Sequence, residues 1–142
     1  MPRFSPANFR HIVRASAIYD LVVTAPFATP WTFAWNWHQL SDLNVRLGGA
    51  ALAPFDVYPT LVACLMGSIV LVWSVLRILG PERRLGRADG VARFLFATWM
   101  AWALVVTRQP LLWLFVVPEF AWGVVQWWPI DNAGSASGHA RA

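Results

Sequence analysis

Residues 110–128 read PLLWLFVVPEFAWGVVQWW. The stretch is long and apolar enough to cross a bilayer, yet Pro118 and Glu119 stand at its centre. A carboxyl group at that depth costs about 2.5–3.5 kcal/mol on insertion scales, so it marks a functional site or a buried partner. The proline beside it has no N–H to donate and frees the carbonyl of Leu114, which predicts a kink. A second acid, Asp20, lies in the first apolar stretch, ahead of another proline break at Pro26.

The rest of the composition agrees with a membrane setting. The chain of 142 residues is 58% hydrophobic and 13% charged, against about 25% charged in soluble domains. Its net charge of +4 comes from arginine, because there is no lysine. A Schiff-base cofactor is therefore excluded. The arginines flank apolar segments and form no stripe with interleaved aromatics, so nucleic acid is not an expected partner. Cys64 is the one cysteine and reads as a small helix-packing residue, without a disulfide. His11 and His38 would stand roughly 40 Å apart on one helix, and His139 falls in a polar tail, so neither haem nor another metal site is expected. No glycine-rich phosphate loop or paired-cysteine motif occurs, and no cofactor is expected.

Working outward, four spans are predicted, over 12–36, 59–79, 91–107 and 110–128. Residues 1–11 read as a polar cytoplasmic lead and 129–142 as a disordered cytoplasmic tail. Arg10 and Arg14 before an apolar run mimic a signal peptide. The run continues through Pro26 and Pro30 to Trp31, Trp35 and Trp37, which favours a retained helix that kinks or unwinds near the prolines, with an outer aromatic belt. Ser16, Asp20, Thr24 and Ala28 recur every four residues and so share one stripe. Residues 38–58 read as an external loop holding one interfacial turn near Leu40–Leu47, with Asp42 and Asp56 solvated or capping. Ala63 and Gly67 form a small-xxx-small pair suited to close helix approach. Gly80-Pro81 ends the second span, residues 80–90 form a basic connector, and Arg93 is expected to snorkel to the surface. With both termini inside, nine of the eleven arginines are cytoplasmic and only Arg46 and Arg108 are outside. The fold expected is an all-α, up-down-up-down, integral membrane four-helix bundle, N-in and C-in.

This arithmetic puts Asp20 and Glu119 within about one helical turn in depth. The first and last helices of such a bundle are usually neighbours. A shared polar centre follows, built from Asp20, Ser16, Thr24, Glu119 and Gln126 and walled by Trp122 and Trp102. Two carboxyl groups buried together disfavour double ionisation, so at least one is expected to be protonated. Their expected partners are hydroxyls, Gln126 or proline-freed carbonyls.

The stretches YDLVVTAPFATPW (19–31) and PEFAWG (118–123) resemble segments of small, arginine-rich, four-span bacterial inner-membrane proteins of uncharacterised function. The likeness covers residues 12–128 and implies a fold and an inner-membrane location, with no activity attached. Pro118-Glu119-Phe120 is also similar to the proline-and-acid pattern in carotenoid lycopene cyclase subunits. Here the second adjacent acid is missing, so any carry-over rests on Glu119.

Binding of a lipid-like ligand or a partner membrane protein at the polar centre is the leading expectation, because no complete catalytic constellation is present. The lipid bilayer and a homo-oligomer or larger membrane complex are the partners considered. The rivals are an intramembrane isomerase or cyclase, with Glu119 and Asp20 as catalytic candidates, and a proton-coupled transporter using the same acids.

Overall fold

The computed structural model describes residues 3–131 and is all-helical. Five α-helices follow in order: α1 (Pro6–Thr24), α2 (Pro30–Arg46), α3 (Val57–Leu79), α4 (Arg83–Thr107) and α5 (Trp113–Trp127). Short 3-10 turns at Ala25–Phe27 and Pro110–Leu112 precede α2 and α5. Three segments are long and apolar enough to cross a membrane, namely α3, α4 and Pro110–Trp127, and a fourth is counted if the bent α1–α2 pair is one span. Leu61, Val62, Leu65, Ile69, Val72 and Leu76 all face outward from α3. A surface of this kind suits lipid, where apolar side chains need no cover.

Local sequence explains where the helices start and stop. Ser5 caps α1 by accepting from the Asn8 backbone N–H at 3.1 Å, with Pro6 at the first helical position. Pro26 cannot donate to the helical ladder, and α1 gives way there to the 3-10 turn. Thr29 is then extended, as a residue before proline prefers, and its hydroxyl accepts from the Thr32 N–H at 3.3 Å. The chain turns through 101° between the two helices. The span expected over 12–36 is thus two helices, and the kink anticipated at the prolines is a full corner.

Several other boundaries differ from expectation. α2 continues to Arg46, through much of what reads as an external loop. Its Asn44 is fully buried, accepting from the Leu111 N–H at 3.0 Å and donating to Ala50 O and Gln109 Oε1. That one amide ties α2 to the following loop and to the α4–α5 turn. Trp31 and Trp35 are exposed. Trp37 instead stacks on Phe33, packs at a tilt against Phe55 and donates to Ala53 O at 2.9 Å. Asp56 occupies the N-cap position of α3 without a side-chain capping bond.

α4 starts at Arg83, eight residues before the expected 91, so most of the supposed connector is helix. The misreading came from Gly86 and Gly90, which are packing sites here. A Cβ at Gly86 would meet Val13 and Phe9, and one at Gly90 would meet Trp127. The described parts of the expected lead and tail, residues 3–11 and 129–131, are tied to each other. Phe9 is buried in α1, the Phe4 N–H donates to Pro129 O at 3.0 Å, and the Asp131 N–H donates to Phe4 O at 2.9 Å. The remainder of the expected tail, 132–142, lies outside the described residues.

Packing is broadest between α4 and α5 and between α1 and α3, with α1 also touching α4 and α5. α3 and α4 stand apart for most of their length. Gly67 sets how closely α3 approaches the proline corner: a Cβ there would sit 2.7 Å from the backbone of Phe27. A backbone, unlike a ring, cannot swing away. Gly67→Ala is expected to destabilise the purified protein by about 1–3 kcal/mol. Thermal unfolding in a mild detergent should show this, whereas Ser68→Ala, one residue on at an exposed position, should melt close to wild type. Equal melting of the two variants would refute the close-approach role.

Candidate functional site

The helical repeat places chemistry-bearing side chains on facing stripes. Ser16 and Asp20 are one turn apart on α1, Trp73 and Arg77 on α3, and Asp89 and Arg93 on α4, while Glu119 and Gln126 are two turns apart on α5. All eight converge on one ionic cluster.

Arg93 is its hub and is 1% exposed. Its Nε donates to Asp89 Oδ2 at 3.0 Å, Nη1 to Glu119 Oε2 at 3.0 Å, and Nη2 to Asp20 Oδ2 at 2.7 Å. Nη2 also reaches the Ser16 carbonyl at 3.4 Å. Arg77, with 0% exposure, donates to the carboxylates of both Asp20 and Asp89 and to the hydroxyls of Ser16 and Ser74. The indole N–H of Trp73 donates to Asp89 Oδ1 at 2.9 Å. The Gln126 amide donates to Ser16 Oγ and Asp89 Oδ2, both at 2.8 Å. The faces of Trp122 and Trp73 lie 5.9 and 5.6 Å from the guanidinium carbons of Arg93 and Arg77. Arg77 Nε and Gln126 Oε1 are buried without a hydrogen-bond partner among the described residues.

The structure therefore brings together Asp20, Ser16, Glu119 and Gln126, with Trp122 against Arg93. Asp20 and Glu119 share one guanidinium, within the roughly 10 Å anticipated from helix spacing. Thr24 makes no bond to the cluster's side chains, its hydroxyl being bonded to the Asp20 backbone carbonyl, but it lines the cavity beside them. Trp102 is 62% exposed and does not wall the site.

The partners of the acids differ from the expected hydroxyls, amide and freed carbonyls. They are arginines, so the shared protonated pair of carboxyls gives way to ion pairing. Because α4 begins at Arg83, residue 93 is already ten residues into the helix and too deep for its side chain to prefer the surface. Arg77, in the last turns of α3, turns inward because Asp20 and Asp89 offer it two carboxylates. Sequence reasoning missed Arg77, Arg93, Asp89, Trp73 and Ser74 as site residues. The i,i+4 spacing of Asp89 and Arg93 was the available signal, masked by the two nearby glycines.

A cavity of about 470 Å³ adjoins the cluster between α3 and α4. Its walls are largely apolar, including Phe27, Val70, Phe96 and Phe115, and its polar side carries Asp20, Glu119, Asp89 and Arg93. Met66, Ile69 and Phe96 line it and are also exposed on the outer surface, so it opens sideways as a cleft. Among the described residues no group of three or more potential metal ligands is disposed to hold an ion. The three carboxylates are turned onto guanidinium groups.

Charge counting gives an asymmetry that can be measured. Three carboxylates face two guanidiniums. Removing one partner of a buried pair costs about 3–5 kcal/mol when it strands the other charge. Arg93→Gln leaves three acids on one arginine and should lose stability on that scale. Glu119→Gln leaves two of each sign and should melt within a few degrees of wild type. Thermal melts in detergent test the order, and a larger loss for Glu119→Gln than for Arg93→Gln would overturn this account of the cluster.

No known family model, curated protein or solved structure matches the chain.

Proposed function

We propose that this is a small integral membrane protein that binds a lipid-like, amphipathic small molecule in the cleft between α3 and α4. The observation that carries the reading is the cleft itself. Its cavity of about 470 Å³ has apolar walls, an opening on the outward face and a charged side formed by Asp20, Glu119 and Arg93. Ligand sites characteristically combine apolar walls with a few convergent polar groups. A chain lying in the cleft would exchange lipid contact for protein contact while its polar end meets the cluster. The ion pairing of Glu119 and Asp20 favours binding over acid catalysis, because a carboxylate held by guanidinium has no proton to donate to an alkene.

The arrangement in the membrane belongs to the same proposal. α1, α3, α4 and α5 cross the bilayer alternately, and α2, bent away at the proline corner, lies along the opposite interface. Residues near both ends of the described chain meet the Gly80–Glu82 connector on one side, where Arg10, Arg83, Arg84 and Arg87 also sit. That side is cytoplasmic by the positive-inside rule, in a bacterial inner membrane. In a Cys64→Ser background, Glu82→Cys should react with an impermeant thiol reagent from the cytoplasmic side only, and Asp42→Cys from the opposite side only. The reverse pattern would invert the orientation.

Native mass spectrometry of the protein released from a mild detergent tests the binding reading. A bound small-molecule mass is expected, and it should be lost from Val70→Trp, which fills the cleft from α3. A wild-type protein free of such a mass, before and after incubation with membrane lipid extract, would sink the proposal.

A further inference from the structure

The cleft offers a ligand more open acceptors than open donors. Asp20 Oδ2 takes both guanidiniums and Glu119 Oε2 takes Arg93. Asp20 Oδ1 and Glu119 Oε1 make no hydrogen bond among the described residues, and both side chains line the cavity. Most of the potential donors there are already committed, the second Nη1 N–H of Arg93 being the one its bonds leave over among the described residues. The Trp73 N–H is on Asp89, the Thr24 hydroxyl is on its own helix, and Nε, Nη1 and Nη2 of Arg93 each hold a carboxylate. The one unpartnered guanidinium nitrogen, Arg77 Nε, belongs to a side chain that is sealed from solvent and absent from the cavity wall. The carboxyl groups of Asp20 and Glu119 meet at Arg93, and both side chains line the cleft.

The charge balance points the same way. With three carboxylates against two guanidiniums, the cluster carries one surplus negative charge in a low-dielectric setting. Such a charge is costly unless a counter-charge joins it. An anionic head group would add to the excess, with one Nη1 N–H of Arg93 to receive it. A cationic one would neutralise the excess and could donate N–H bonds to both open carboxylate oxygens. Phe27, Phe96 and Phe115 add aromatic faces along the cavity, which are compatible with a cation and with an alkyl chain.

We infer that the cleft is selective for hydrophobic amines, binding a protonated alkylamine with its ammonium between Asp20 and Glu119 and its chain along the apolar wall of α3 and α4. This deepens the binding reading above and rests on it. The acid surplus sets the sign of the head group, and the open carboxylate oxygens set its place. Glu119 supplies the surplus charge, since Asp20 and Asp89 alone balance Arg77 and Arg93.

Three probes with one chain length separate the possibilities: decylamine, decanol and decyl sulfate. Their apparent Kd values are measured by native mass spectrometry on the whole protein in a neutral maltoside detergent, with Val70→Trp as the blank. Decylamine should bind roughly tenfold or more tightly than decanol, with decyl sulfate weakest. In Glu119→Gln the amine's advantage over the alcohol should fall to about one, and Glu119→Asp should restore part of it. A merely structural role for Glu119 would weaken all three probes together and leave their ratio unchanged, which would overturn the inference. Equal or tighter binding of decanol or decyl sulfate to the wild-type protein overturns amine selectivity while leaving a lipid-like ligand in place. Should no probe bind above the Val70→Trp blank, the cleft reading itself fails, and the amine inference with it.

Discussion

The guanidinium of Arg93 cannot leave the interior without stranding Glu119 and leaving Asp20 and Asp89 to Arg77 alone, and these three carboxylates hang from three different helices. Its bonds to Asp89 on its own helix, Asp20 on α1 and Glu119 on α5 are therefore also the bonds that hold the helices in register. Arg77 repeats the device from α3, reaching Asp20 and Asp89. In water such pairs would be worth little, because hydration competes with them. Between apolar helices the alternative to pairing is an isolated charge, so the geometry is enforced by the cost of every other arrangement. A mostly apolar chain gains little by burying one lipid-facing side rather than another. The ionic cluster supplies the discrimination that apolar contact does not.

That constraint has a consequence for the surroundings. α3 and α4 meet mainly through long side chains, Arg77 and Trp73 from one helix reaching Asp89 on the other. Where α3 packs on the proline corner and α4 packs on α5, small residues allow close approach, as at Gly67, Gly90 and Gly123. Between α3 and α4 no such seam forms, and the gap remains as the cleft. Site and scaffold thus have one origin, since Arg77 and Trp73, which bridge the two helices, also hold them apart. The orphaned Arg77 Nε and Gln126 Oε1 fit the same picture of polar groups confined by packing.

The cluster also differs from a catalytic dyad of acids. Two carboxyls sharing a site without cations would have to share a proton. With two arginines shared among three carboxylates, two of the negative charges are balanced and one is left over beside a cavity.

The sequence by itself determined the class of molecule and much of its polar content. Apolar helices long enough for a bilayer follow from composition and run length. The corner after Thr24 follows from Pro26 and Pro30, which remove backbone donors wherever they fall. Ser16, Asp20, Glu119 and Gln126 could be gathered beforehand because helical spacing and depth are local arithmetic. Only the tertiary structure decided what those groups meet. Whether Arg77 and Arg93 turn outward to the surface or inward to carboxylates depends on which helix stands opposite, and the i,i+4 pattern within one helix does not record its neighbour. Gly86 and Gly90 read as connector residues for the same reason: a glycine is a helix breaker in isolation and a contact point when another helix, carrying Val13 or Trp127, is pressed against it. The cleft was invisible to sequence on still simpler grounds, because an empty volume belongs to the space between α3 and α4 and to no residue in either.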